Sequence, residues 1–192
     1  MIQIHSCIAG FTQGTKTWHG VLKLHERMTC ELNCNPICRV WFHRWKDDWE
    51  SIAEHIWLLG DKYQDEIEVY VYCYSYGGGW GAIKYCNYLD ECGLRVPVMV
   101  MSDPVYRNPL LIMRWTSLVS FSSITIPENV GVVHRFYQRV NKPCGHNLKI
   151  NEDTTMWATD QELHCTHQKM DDSKEFHDLS IQIAKEATER LR

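Results

Sequence analysis

The chain has no cluster of basic residues, no run of about 20 apolar residues and only 6 prolines in 192 positions. Each shortage excludes a class of protein. Lys and Arg number 20 against 24 Asp and Glu, a net charge of −4, and they are scattered. A nucleic-acid binder carries a concentrated basic footprint, so nucleic acid is not an expected partner; neutral molecules are. The most apolar stretch, Leu110 to Phe121, is broken by Arg114. It falls short of a membrane-spanning helix, and no stable membrane insertion is expected. Residues Met1 to Gly10 lack a basic leading segment and read as a first strand rather than a signal peptide, so the expectation is a cytoplasmic protein. Repeats and low-complexity tracts are absent.

Cysteines are plentiful but irregular. There are 9, an odd number, and only Cys30, Cys34 and Cys38 are regularly spaced. Helical spacing would place those three thiols on one face, but Pro36 interrupts the segment and no fourth ligand follows at a suitable distance. Reduced thiols, several acting as small core hydrophobes, and no metal or other cofactor are the expectation.

The composition is that of a folded interior: 44% hydrophobic residues with 8 Trp and 9 Tyr. One domain over 1–192 could bury roughly two-thirds of its unfolded surface. Strand and helix patterns alternate along it, which predicts an α/β fold with a mostly parallel central sheet between helical layers. The expected strands are 2–9, 38–45, 66–74, 95–101 and 130–138, with a sixth around Leu163 to Cys165. A helix is expected through Trp18, Val21, Leu22, His25 and Met28. A second, capped by Asp47 or Asp48 and ended by Gly60, has the apolar stripe Trp49, Ile52, Ala53, Ile56 and Trp57. A third spans Trp80 to Cys92. A closing helix, capped by Asp171 or Asp172, carries Phe176, Leu179, Ile183, Ala187 and Leu191 on one face. Residues 106–128 are too apolar for an exposed loop and read as a candidate lid or pocket-covering excursion.

Chemistry concentrates after the third strand. The run Glu68 to Tyr74 leads into Ser75, then Tyr76-Gly77-Gly78-Gly79, then a helix. A strand, a serine on a tight turn and a helix together lift a hydroxyl from the sheet edge and aim a helix N-terminus at what it attacks. A serine hydroxyl needs a histidine base, held in its tautomer by a carboxylate. Asp103 closes a buried strand at its C-terminal end, where open α/β sheets bind ligands, and His167 precedes the closing helix. His164, three residues earlier, is the alternative base. Taken singly, Ser75 is a turn serine and Asp103 caps an Asp-Pro turn; the order Ser, Asp, His makes them a constellation. His134, His146 and His177 read as structural.

On Tyr74 to Gly79, Ser102-Asp103-Pro104-Val105 and His167 to Asp172, the chain resembles a small α/β-hydrolase of the serine esterase and lipase type over nearly its whole length. The Asp-Pro placement is similar to that of pancreatic-type lipases. The segments Gly10 to Thr15, Trp18-His19-Gly20 and Asp103 to Arg107 resemble uncharacterised small hydrolases of bacteria and their phages. Where that family has glycine two residues before the serine, this chain has Cys73. The resemblance implies a Ser75, Asp103 and His167 triad acting through an acyl-enzyme on an ester or thioester. The oxyanion would be held by the amide of Tyr76 and, because Ala9-Gly10-Phe11 resembles the lipase His-Gly-X, by that of Phe11, with Thr12 as the alternative. The substrate would be a small acyl compound; the oligomeric state is left open.

Two other readings remain. Gly77 to Ala82 matches G-x-G-x-x-A between a strand and a helix, the signature of an NAD(P)-binding Rossmann-like oxidoreductase. Against it stand the bulk of Trp80, the position in mid-chain and a histidine loop left unused. The other is a hydrolase-like fold serving as a non-catalytic interaction protein, motivated by Cys73.

Overall fold

The structure, a computed structural model, describes residues 1–14, 18–32, 37–106 and 123–191. Its elements are β1 (Ile2–Ala9), α1 (Gly20–Leu32), β2 (Cys38–Arg44), α2 (Trp49–Tyr63), β3 (Ile67–Tyr74), a π-helical turn (Gly77–Ala82), α3 (Ile83–Glu91), β4 (Val96–Ser102), β5 (Ile124–Thr125), β6 (Val130–Tyr137), β7 (Leu148–Lys149), β8 (Met156–Glu162), α4 (His167–Met170) and α5 (Lys174–Glu189). Six strands form one sheet in the order β2-β1-β3-β4-β6-β8, and β5 pairs with β7 apart from it. Every pairing in the six-stranded sheet is parallel.

The two-residue alternation of β3 sorts its side chains to opposite faces. Val69, Val71 and Cys73 join Ala53 and Ile56 of α2 and Tyr85 and Leu89 of α3 in one core. Tyr70, Tyr72 and Tyr74 join Leu24 and Met28 of α1 and Phe176 and Ala184 of α5 in the other. Helices therefore cover both faces, which is why β1 is buried along its whole length and β3 nearly so. The chain builds outward from β1 to β2, then crosses to β3 and builds the other way. That reversal opens a crevice between the C-terminal ends of β1 and β3, the place where doubly wound sheets bind ligands.

Several boundaries differ from expectation for physical reasons. α2 is capped by Asp48, whose Oδ1 accepts from the Ser51 amide at 3.3 Å, but it runs past Gly60 to Gln64 at φ 51°. Gly60 serves packing instead, since a Cβ there would lie 3.2 Å from the Asp65 carbonyl oxygen. Trp57, one residue and about 100° round from Ile56, is exposed, and Leu59 takes its place in the buried stripe. The sixth strand is Met156–Glu162 rather than the segment around Leu163 to Cys165. It is a mostly exposed edge strand whose polar residues carry no apolar run to reveal it. Leu163 instead anchors the strand exit, its amide donating to the Tyr137 carbonyl at 2.8 Å. α5 begins after Ser173, because Asp171 and Asp172 are engaged elsewhere: Asp171 accepts from Gln13 and the Gly20 amide, and Asp172 pairs with Lys23. The excursion expected over 106–128 lies outside the described residues for 107–122, as does Cys34 of the cysteine trio. Among the described residues no group of three or more His, Cys, Asp or Glu side chains is arranged to hold a metal ion. No described helix is long and apolar enough to cross a membrane.

Candidate active site

Ser75 leaves the end of β3 with φ 53°, in the left-handed region that non-glycine residues rarely occupy. This single reversed residue turns strand into helix and leaves the hydroxyl outside the sheet edge. Gly77 and Gly10 beside it are glycines because backbone crowds the turn. A Cβ on Gly77 would lie 2.3 Å from the Ala9 carbonyl oxygen, and one on Gly10 would meet the Tyr74 ring at 3.0 Å and the Ser75 Cβ at 3.2 Å. The exits of β1 and β3 thus approach only through glycine. Cys73 fits because its side chain points into the core, with Sγ donating to the Val100 carbonyl at 3.6 Å and packing where Gly78 has no side chain. Burial pushes the Cys73 thiol well up, so it stays protonated and inert.

Asp103 leaves β4 with φ 44° and no solvent exposure. Its buried carboxylate is fully supplied with donors. Oδ1 accepts from the Gly145 amide at 2.6 Å and the Gln138 amide at 3.2 Å, and Oδ2 accepts from Gln138 Nε2 at 3.0 Å. His167 Nδ1 lies 2.5 Å from the same Oδ2, and His167 Nε2 lies 2.8 Å from Ser75 Oγ. An ionised carboxylate can only accept, so Nδ1 carries the proton and Nε2 is left to accept from the serine hydroxyl. His167 opens α4. Its ring stacks on Tyr74 with centroids 5.1 Å apart, the Tyr74 hydroxyl donates to its carbonyl at 2.8 Å, and its amide donates to Asn141 Oδ1 at 2.7 Å. Ring, backbone and both nitrogens are fixed. Such a line can take a proton from the hydroxyl at Nε2 and stabilise the resulting imidazolium.

The structure thus brings Ser75, Asp103 and His167 together. His164 is exposed, outside this line. Tyr76, Phe11 and Thr12 share the wall of a cavity of about 360 Å³ with Ser75 and His167. The Phe11 loop is held from the turn after β2, since Trp45 Nε1 donates to the Phe11 carbonyl at 2.9 Å and the two rings stack at 5.3 Å. Gln13 ties the same loop to the histidine segment: its Oε1 accepts from the Gly10 amide at 3.0 Å and its Nε2 donates to Asp171 at 2.6 Å. His134 bonds Thr159, and the His177 ring donates to the Asp171 carbonyl.

The glycine run lies against the chain's own backbone. A Cβ on Gly79 would sit 2.2 Å from the Val105 carbonyl oxygen, as one on Gly77 would from that of Ala9 at 2.3 Å. Carbonyl oxygens facing these glycines suit close packing of strand exits and are poor company for a pyrophosphate. Sequence reasoning missed Gln138, Asn141, Gly145 and Tyr74. Gly145 carried a signal, since Lys142-Pro143-Cys144-Gly145 is turn-forming sequence directly after a strand. No protein-family model matches the chain, and no curated protein matches it by sequence.

Proposed function

We propose that the protein is a serine hydrolase that cleaves an ester or thioester of a modest acyl group, with the kinship to α/β-hydrolases that its sequence suggests. One observation carries the reading: the unbroken line from Ser75 Oγ through both nitrogens of His167 to the buried Asp103 carboxylate, opening on a cavity at the sheet's reversal point. Ser75 Oγ bonds the acyl carbon as its proton passes to His167 Nε2, and the carbonyl electron pair moves onto oxygen. Amides of Tyr76 and Phe11 are the assigned oxyanion donors, each worth on the order of 3 kcal/mol in the transition state. Collapse breaks the bond to the alcohol or thiol, which leaves with the proton from His167. Water then attacks the acyl-enzyme by the same steps in reverse roles, releasing the acid and restoring Ser75. The acyl-enzyme needs no cofactor.

A cavity of about 360 Å³ whose described lining residues include no Asp, Glu, Lys or Arg suits a small uncharged acyl group. The eight described cysteines are free thiols, which suits the cytoplasm. The test is labelling with a fluorophosphonate probe. The expected result is one adduct, on Ser75, lost in Ser75→Ala and His167→Ala. A folded native protein that takes no label and binds NAD with measurable heat would overturn the reading in favour of a dinucleotide site.

A further inference from the structure

The segment after β6 folds back on Gln138, which is fully buried. Its amide nitrogen has two hydrogens and three oxygens in reach: Asp103 Oδ2 at 3.0 Å, the Asn141 carbonyl at 2.9 Å and the Pro143 carbonyl at 2.8 Å. Its Oε1 accepts from the Asn141 amide at 2.9 Å. The reverse amide orientation would set Oε1 among three acceptors, so the polarity of this side chain is determined. The loop thus closed touches both partners of Ser75. Gly145 and the Gln138 backbone donate to Asp103 Oδ1, while Asn141 accepts from the His167 amide and donates to Gln168 at 3.1 Å.

We infer that Gln138 is a positioning residue that, through the 138–145 segment, sets the Asp103 carboxylate and His167 in mutual register, an inference that rests on the serine-hydrolase reading. Asp103 Oδ2 receives two donors, His167 Nδ1 and Gln138 Nε2. The glutamine is neutral and keeps its hydrogens, so it turns the carboxylate toward the imidazole without competing for the travelling proton. A carboxylate free to rotate would leave His167 loose by a fraction of an ångström or more, and misplacement near 1 Å costs on the order of 100-fold in rate.

A glutamine that merely filled a turn would leave the pH dependence of the chemistry unmoved, and this separates the two roles. In Gln138→Glu, the neutral acid at low pH still donates to Asp103. Once ionised, it sets a second carboxylate against Oδ2 and two carbonyls. The maximal rate of fluorophosphonate labelling is then expected to fall as pH rises through a range in which the native rate is level. Gln138→Met, which has no donor, is expected to be slower by on the order of 100-fold throughout. Should either variant fail to fold, the half-exposed Asn141 decides. Asn141→Ala should lower the maximal labelling rate without changing the half-saturating probe concentration, and Asn141→Asp, which still accepts from the His167 amide, should restore it. Failure of the native protein to label would sink the hydrolase reading itself. A native protein that labels, with Gln138→Glu following its pH profile or Asn141→Ala matching its rate, would overturn the positioning role alone.

Discussion

Two histidines are buried against tyrosines of the same strand, and their surroundings make them chemical opposites. His5, in the middle of β1, lies 5.0 Å from Tyr70 and 6.0 Å from Tyr72, ring to ring. Its Nδ1 meets the Tyr72 hydroxyl at 3.1 Å, and its Nε2 is buried with no hydrogen-bond partner among the described residues. Burial pushes this imidazole down to about 3, so it is neutral across the physiological range. His167 rests on Tyr74, the next tyrosine on that face, at the strand exit. There loops from β4 and β6 can reach it, and each ring nitrogen has a partner. Burial and stacking alone make an inert ring. A carboxylate on one side and a hydroxyl on the other give the same ring the partners that the proposed proton transfer needs.

The largest effect should come from breaking that polarity. Asp103→Asn keeps the shape but offers the wrong partner to Nδ1, and the rate of labelling or of ester hydrolysis is expected to drop by roughly 10,000-fold. His5→Asn should leave the labelling rate within a few-fold of native, and equal losses in the two variants would erase the contrast. The next effect is on stability. His43, ringed by Trp41, Trp49 and Tyr85, is pushed down by burial to about 4, as His5 is to about 3. Their unfolded value is about 6.5, so below that pH the unfolded chain binds protons that the fold refuses, and stability falls with pH. The contribution is intact above 6.5 and is lost as pH falls toward 4 for His43 and 3 for His5, the loss at pH 5 being about 2 kcal/mol per histidine. Urea unfolding at pH 7.5 and 5 measures it, and His43→Phe should flatten the dependence. An unchanged slope would place the acid sensitivity elsewhere. The smallest effect belongs to Cys73→Gly, which removes a buried side chain and adds backbone freedom, for about 1–2 kcal/mol by thermal unfolding. The labelling rate should hold within a few-fold, because the turn at Ser75 is set by Gly77 and Gly10.

The central strands were legible because burial on both faces demands apolar runs, and β3 and β4 have them. Ser75 and Asp103 were legible because each ends such a run, where a side chain can leave the sheet. Choosing between His164 and His167 was beyond spacing alone, since only the turn of α4 puts one ring inward and the other in solvent. Gln138 was invisible for a different reason. Its bond to Asp103 spans 35 positions and has no local pattern, and an interior glutamine announces itself only when its acceptors are in place. Asp171 misled as a helix cap because the competition for its carboxylate came from Gln13, 158 positions away. β8 stayed hidden because an edge strand can be polar on both faces.

The connectivity of the sheet also fixes when the hydroxyl can acquire its base. Ser75 and His167 are 92 positions apart, and the first strand is tied to the last helix by a bond from Gln3 to the Ala187 carbonyl across 184. During synthesis the serine emerges and its turn can form while the histidine has not yet been made. A nascent chain therefore carries a serine without a base, and a product truncated before α4 holds the acid and the hydroxyl with nothing to join them. The line from Ser75 through His167 to Asp103 therefore assembles only after α4 has been made, and any chemistry it performs waits on that late segment.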